Sequence, residues 1–161
     1  MAESIKLILL SFLASVGFGV KFQMKNQYLV LAGFGGALTR LCYLLLIEVI
    51  DSRLIYSLLA AMFASLYAEV MAMKCKMPST VFLYPAIIPL TPGNLIYNTA
   101  ANFLLKDTRA MWATAGDCAL TLLGISIGFV LISTFTYYRR VYFLGKDLAS
   151  HLLHHPHKKQ D

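Results

Sequence analysis

The sequence predicts an all-α, polytopic integral membrane protein with about five transmembrane helices, of which the fourth is discontinuous. First, 58% of its 161 residues are hydrophobic and only 14% are charged, with a mean hydropathy of +0.67. Soluble domains are typically about 45–50% hydrophobic and about 25% charged. Second, five apolar segments reach the roughly 20 residues that a helix needs to cross a bilayer. Third, prolines and a glycine interrupt the fourth segment.

The first three apolar segments are uninterrupted and cover residues 5–22, 28–50 and 54–73. The first has the Lys, apolar run and small residues of a signal peptide, but it continues to Phe22 and ends in a basic loop, which favours a retained span. The fourth and fifth segments cover residues 79–105 and 111–138. Short polar loops connect all five, so sequential neighbours are expected to be antiparallel in one bundle.

Small residues recur at four-residue spacing in three of the segments, where they are expected to let helix backbones approach closely. They are Gly33 with Ala37, Gly124 with Gly128, and the series Ala60, Ala64, Ala68 and Ala72. They are expected to pack the bundle itself; in a transporter subunit, these faces are also expected to meet a second membrane chain.

The fourth segment contains Pro85, Pro89 and Pro92, and a proline ends or kinks a helix because it lacks an N–H group. Thr91 is predicted as the N-cap of a new helix and Pro92 as its first residue. Two half-helices would then meet at mid-membrane, with free N–H groups at the start of the second one. Such an end attracts a carboxylate. The alternative is a simple proline kink.

The predicted substrate-binding residues lie at this break and on the polar face that follows it, together with one arginine from the second segment: Thr91, Pro92, Gly93, Asn94, Tyr97, Asn98, Asn102 and Arg40. Arg40 is expected either to hold a substrate carboxylate or to pair with an acidic group such as Glu69. Glu69 and Asp117 are candidates for proton or ion coupling, because charged residues inside a membrane are costly and usually functional. Asp117 is alternatively interfacial.

Basic residues predict the orientation. The first loop, the third loop and the C-terminal tail hold more Lys and Arg than the opposite side, which places the N-terminus outside and the C-terminus in the cytoplasm. Residues 1–145 are predicted to form the transmembrane domain and residues 146–161 a cytoplasmic basic tail, whose four histidines are expected to be solvated. Three widely spaced cysteines predict buried thiols. No cofactor, metal or nucleic acid is expected.

Three stretches, "SVGFGVKF", "LVLAGFGGALTRLCYLL" and "YAEVMAMKCKMPSTVFLYPAIIPLTPG", resemble the threonine/serine exporter family, and specifically its short type of subunit. The resemblance implies export of threonine and serine or of a dicarboxylate such as succinate, in a plasma (bacterial inner) membrane. It also implies a larger membrane subunit as partner, with self-association as the alternative.

The sequence therefore favours a subunit of a secondary transporter over two alternatives. One is a homo-oligomeric channel that uses the break as a constriction, and the other is an accessory membrane protein without transport activity. An enzyme is disfavoured, since no nucleophile–base pattern or metal motif is found. No P-loop motif is present either, which implies that a gradient rather than ATP hydrolysis drives transport.

Overall fold

The computed structural model describes the backbone of residues 2–154 and the side chains of residues 3–139, 141 and 142. These residues form six α-helices and one 3-10 turn, and no strand occurs among them. The helices are α1 (Ala2–Lys21), α2 (Asn26–Val49), α3 (Arg53–Cys75), α4 (Ser79–Ile87), α5 (Gly93–Leu104) and α6 (Thr108–His154), with the 3-10 turn (Ile88–Leu90) after α4.

Four helices are long and apolar enough to cross a membrane: α1, α2, α3 and the Thr108–Arg139 part of α6. The predicted fourth segment instead consists of α4, the 3-10 turn and α5. Its apolar first part, Ser79–Leu90, is shorter than a membrane span. The prediction of an all-α membrane protein with a discontinuous fourth segment is thus confirmed.

The direction of each helix follows from which residues touch. Gly19 of α1 lies against Leu29 of α2, near the loop that joins them, so α1 and α2 form an antiparallel hairpin. The hydroxyl of Tyr67 in α3 donates to the carbonyl of Leu31 (2.6 Å), and the Tyr43 and Tyr56 rings meet edge to face. Later positions of α2 thus contact earlier positions of α3, so these two helices are antiparallel as well.

Helices α3 and α6 run parallel. Gly124 lies against the backbone of Leu54, and Gly128 lies against the backbone of Leu58. Helix α6 therefore begins on the side of the bundle where α3 begins, with residues 108–123 preceding the level of Leu54, although the chain leaves α3 at the opposite end. The connecting α4–α5 segment consequently returns along the whole bundle and is not a hairpin that re-enters on one side.

The small-residue faces pack inside this chain. Ala60, Ala64, Ala68 and Ala72 are all buried, and an added Cβ on Gly128 would lie 2.5 Å from the carbonyl oxygen of Leu58. The expectation that these faces meet a second chain is therefore wrong. The small residues form the contacts between α3 and its neighbouring helices in the same chain, because close backbone approach needs small side chains on the helices that touch.

Helix α6 continues past residue 145, where the sequence places the boundary between membrane domain and tail, and reaches His154. The rest of the predicted tail, residues 155–161, lies outside the described residues.

Candidate functional site

The break between α4 and α5 is a sharp change of backbone direction. Thr91 is extended (φ −60°, ψ 126°), and Pro92 has φ −79° and ψ 52°. The Gly93 N–H donates to the carbonyl of Thr91 at 2.8 Å, which closes an inverse γ-turn around Pro92. The helical ladder of α5 starts only afterwards, with the Ile96 N–H donating to Pro92 O at 3.1 Å.

The predicted helix cap was wrong by one residue. Pro92, and not Thr91, occupies the N-cap, and α5 begins at Gly93. Thr91 instead donates both its hydroxyl (2.6 Å) and its backbone N–H (3.1 Å) to the carbonyl of Ile88. The reason is local: Ile88 is four residues before Pro92, which has no N–H to offer, so this carbonyl needs another donor.

A second orphaned carbonyl is satisfied from α1. Pro89 has no N–H, so the carbonyl of Pro85 has no partner four residues ahead. The hydroxyl of Ser15, which is 0% exposed, donates to it at 2.8 Å. Gly36 of α2 makes room for this contact, because an added Cβ there would overlap the Ser15 hydroxyl.

Arg40 of α2 reaches the third carbonyl of the break. Its Nη1 donates to Pro89 O at 3.3 Å, and its guanidinium lies 5.4 Å from the centre of the Tyr43 ring. In an unbroken helix Pro89 O would accept from Gly93, whose N–H turns to Thr91 instead. A guanidinium has five N–H donors, so this single bond leaves most of them for other acceptors.

The predicted polar face of α5 is not brought next to this arginine contact. Asn94, Asn98 and Asn102 follow one another at four-residue spacing along one side of α5, and Tyr97 beside them is 71% exposed. No residue of α5 is buried, and α6 is the helix on which it packs. Asn94 is exposed, whereas Asn98 and Asn102 are half-buried, and Asn102 lines a cavity at the start of α6.

The two candidate coupling carboxylates lie in different places. Asp117 pairs with Arg53 at 3.3 Å, where α6 runs beside the start of α3, and both side chains are partly exposed. Glu69 lies near the other end of α3, in the wall of a cavity of about 230 Å³. The alternative in which Arg40 pairs with Glu69 is not seen among the described residues, because the Arg40 guanidinium donates to Pro89 O and lies against the Tyr43 ring.

Sequence reasoning missed Ser15 and Gly36. Ser15 is a lone hydroxyl within an apolar helix, and nothing near it in sequence points to a carbonyl 70 positions away. Gly36 belongs to a run with Gly33 and Gly35 that signals close backbone approach in α2, but the run does not say which partner approaches.

A bundle of apolar helices with one broken segment, whose backbone carbonyls are satisfied by side chains from two other helices, is typical of polytopic membrane transporters. The family model described as "Threonine/Serine exporter, ThrE" matches residues 7–135, from α1 through the break and into α6. The chain belongs to this family of membrane exporters. No curated protein and no solved structure matches the chain.

Proposed function

We propose that this chain is a subunit of a secondary transporter that exports small carboxylate-bearing metabolites, namely threonine and serine or a dicarboxylate such as succinate. The substrate carboxylate binds at the break between α4 and α5. The observation that carries the proposal is the asymmetry of the break. Its orphaned carbonyls at Pro85, Ile88 and Pro89 all have donors from the protein, whereas its N–H side is open.

The open side is the first turn of α5. Because the ladder begins with the Ile96 N–H, the N–H groups of Asn94 and Leu95 precede it and point out of the helix end. The helix dipole adds a partial positive charge there. Inside a membrane an unsatisfied N–H costs several kcal/mol, so a carboxylate that accepts from both groups stabilises this end. Thr91, Pro92 and Gly93 form the turn that presents it.

Arg40 supports the same ligand. Its bond to Pro89 O holds a positive charge beside the break, and a planar guanidinium with free N–H groups is the side chain best matched to a carboxylate. In this proposal Arg40 has two roles, since it caps a backbone carbonyl and attracts the substrate.

The polar face of α5 supports a partner. Asn94, Asn98, Asn102 and Tyr97 lie on a helix with no buried residue, and amide groups exposed to lipid are unfavourable. A larger membrane subunit of the same family, or a second copy of this chain, would cover this face and enclose the substrate path, where these four side chains would line the site.

Gradient-driven export needs a residue that exchanges a proton or an ion. Glu69 is the stronger candidate, because it borders a cavity. Asp117 is already neutralised by Arg53 and would have to leave this pair to carry a charge. The proposed location is the plasma membrane, with the N-terminus outside and the C-terminus in the cytoplasm.

Two variants test the proposal. Pro92→Ala supplies an N–H for the carbonyl of Ile88 and favours a more continuous helix. It is expected to lower efflux of labelled serine, threonine or succinate from loaded cells about tenfold or more, because a small misplacement of a binding group can cost that much. Gly17→Ala in α1 is the matched control, since no atom lies within 4 Å of an added Cβ there, and efflux should stay within about twofold.

Membrane levels of both variants are measured by immunoblot, so that loss of transport is separated from loss of protein. Wild-type efflux of all three solutes from a well-inserted Pro92→Ala variant would refute the break as the site. A flux that never saturates and is accompanied by ionic current would favour the channel alternative.

A further inference from the structure

A partly polar cavity lies away from the break, between the later part of α3, the start of α4 and the later part of α6. Its volume of about 230 Å³ is far above the roughly 30 Å³ that one water occupies, so it admits a small solute. Its polar lining consists of one carboxylate and a set of hydroxyl groups: Ser65, Glu69, Ser79, Thr80, Ser133, Thr136 and Tyr137.

The hydroxyls of this cavity on α6 differ from most others in the bundle. In a membrane helix, a hydroxyl commonly donates to the carbonyl one turn back, and Ser57, Thr121 and Ser126 do so here. The hydroxyls of Ser133 and Thr136 make no hydrogen bond with any residue that the structure describes. They are therefore available to a ligand.

The charges of the cavity point to a ligand that carries both signs. Glu69 supplies negative charge; it takes part in another interaction within the chain, but an ionised carboxylate has about four acceptor sites and retains capacity for an ammonium group. The first turn of α4, at Ser79 and Thr80, supplies the partial positive charge of a helix N-terminus. This charge disfavours a bare metal cation and suits a carboxylate.

The cavity is too far from the break for one small molecule to occupy both. Leu83 borders the cavity, and the rise along the chain from there to Asn94 is roughly 16 Å, which is several times the length of a small amino acid. The cavity lies at the end of the bundle where α3 ends and α4 begins, which is the end that the basic residues predict to be cytoplasmic.

We infer that this cavity is a second solute site, which binds a small zwitterion on the entry side of the export path before it reaches the break. Glu69 accepts hydrogen bonds from its ammonium group, and Ser133 and Thr136 bind its polar atoms. The inference rests on the proposed function, because it assumes a solute that moves between the two sites.

Equilibrium binding of labelled serine to the purified protein in lipid nanodiscs tests the inference. The wild-type chain is expected to bind two serines. Glu69→Gln and the double variant Ser133→Ala with Thr136→Val are each expected to lose one of them, or to bind it at least about tenfold more weakly, as expected when hydrogen bonds to a charged group are lost. Ser126→Ala removes a hydroxyl of α6 that bonds to its own helix, and it should retain both sites.

Competing solutes identify the recognised groups. Ethanolamine, which has the ammonium group alone, should displace one of the two serines, whereas lactate, which lacks it, should not displace the serine that depends on Glu69. If Na⁺ displaced this serine at millimolar concentration, the cavity would be a metal-ion site and the inference would be overturned.

The test separates the two proposals. One bound serine that is lost in Pro92→Ala and retained in both cavity variants would overturn the second site and leave the proposed function intact. Both proposals would be overturned if the wild-type protein bound neither serine nor succinate and if efflux were the same in cells with and without this chain.

Discussion

At the scale of single residues, the break depends on donors that come from elsewhere in the fold. Each proline removes one N–H from the helix and leaves a carbonyl four residues earlier without a partner. Ser15 from α1 and Thr91 replace the donors that Pro89 and Pro92 lack, and Arg40 from α2 replaces the Gly93 N–H, which turns to Thr91 instead. The buried hydroxyl of Ser15 in α1 is thus explained by an N–H that is missing from a different helix.

Removing the Ser15 hydroxyl is expected to destabilise the protein. In Ser15→Ala the carbonyl of Pro85 stays buried without a donor, which costs about 1–3 kcal/mol in the free energy of unfolding. The measurement is denaturant unfolding of the purified protein in detergent.

Ser126→Ala is the matched control for this prediction. Its hydroxyl donates to the carbonyl of Leu122 within the same helix, which the helical ladder already satisfies, so a change of no more than about 0.5 kcal/mol is expected. Equal stabilities of the two variants would mean that the contact between Ser15 and Pro85 contributes nothing to the fold.

At the scale of elements, the α3–α6 pair forms the most extensive helix–helix contact among the described residues. Ser57 and Ala61 of α3 face Gly124 and Gly128 of α6, and the backbones approach until a Cβ on Gly124 would lie 2.6 Å from the carbonyl oxygen of Leu54. Two helices that are parallel but not adjacent in sequence are held in register in this way, and the broken crossing lies between them in the chain.

Gly128→Ala should disrupt this pair. Its methyl group would lie 2.5 Å from Leu58 O and 3.0 Å from the Cβ of Ala61, and backbone cannot move aside as a side-chain tip can. A loss of about 1–3 kcal/mol in the free energy of unfolding is expected, again from unfolding in detergent.

The same substitution elsewhere in α6 controls for the intrinsic effect of alanine. Gly116 has no atom within 4 Å of an added Cβ, so Gly116→Ala should be neutral or stabilising by up to about 1 kcal/mol, because alanine favours helix. If Gly128→Ala proved as stable as Gly116→Ala, the close contact between α3 and α6 would be refuted.

At the scale of the whole molecule, α3 and α6 run parallel, so we expect an odd number of crossings. The α4–α5 segment would then count as one crossing, although neither of its helices is long enough alone. An odd number would place the two termini on opposite sides of the membrane, and the distribution of Lys and Arg predicts that the C-terminus is cytoplasmic.

Reporter fusions check this topology. Green fluorescent protein fused after residue 161 should fluoresce and alkaline phosphatase fused there should be inactive, with the reverse pattern for fusions at the N-terminus, because each reporter is active on one side only. Two termini on the same side would mean that the α4–α5 segment does not cross, against the observed direction of α6.

The sequence alone determined the class of protein, the helices and the position of the break. These features depend on local properties: the length of each apolar run, which a bilayer requires, and the missing N–H of each proline. The roles of Arg40, Glu69 and the amides of α5 in transport remain predictions.

Only the tertiary structure decided what surrounds the break. It paired Ser15 with Pro85 and Arg40 with Pro89, it placed Glu69 in a cavity away from Arg40, and it turned the small-residue faces inward. The physical reason is that a carbonyl without its helical partner requires a hydrogen-bond donor but does not specify which residue supplies it. Which donor arrives depends on how helices far apart in the sequence lie against each other, and no local pattern contains that information.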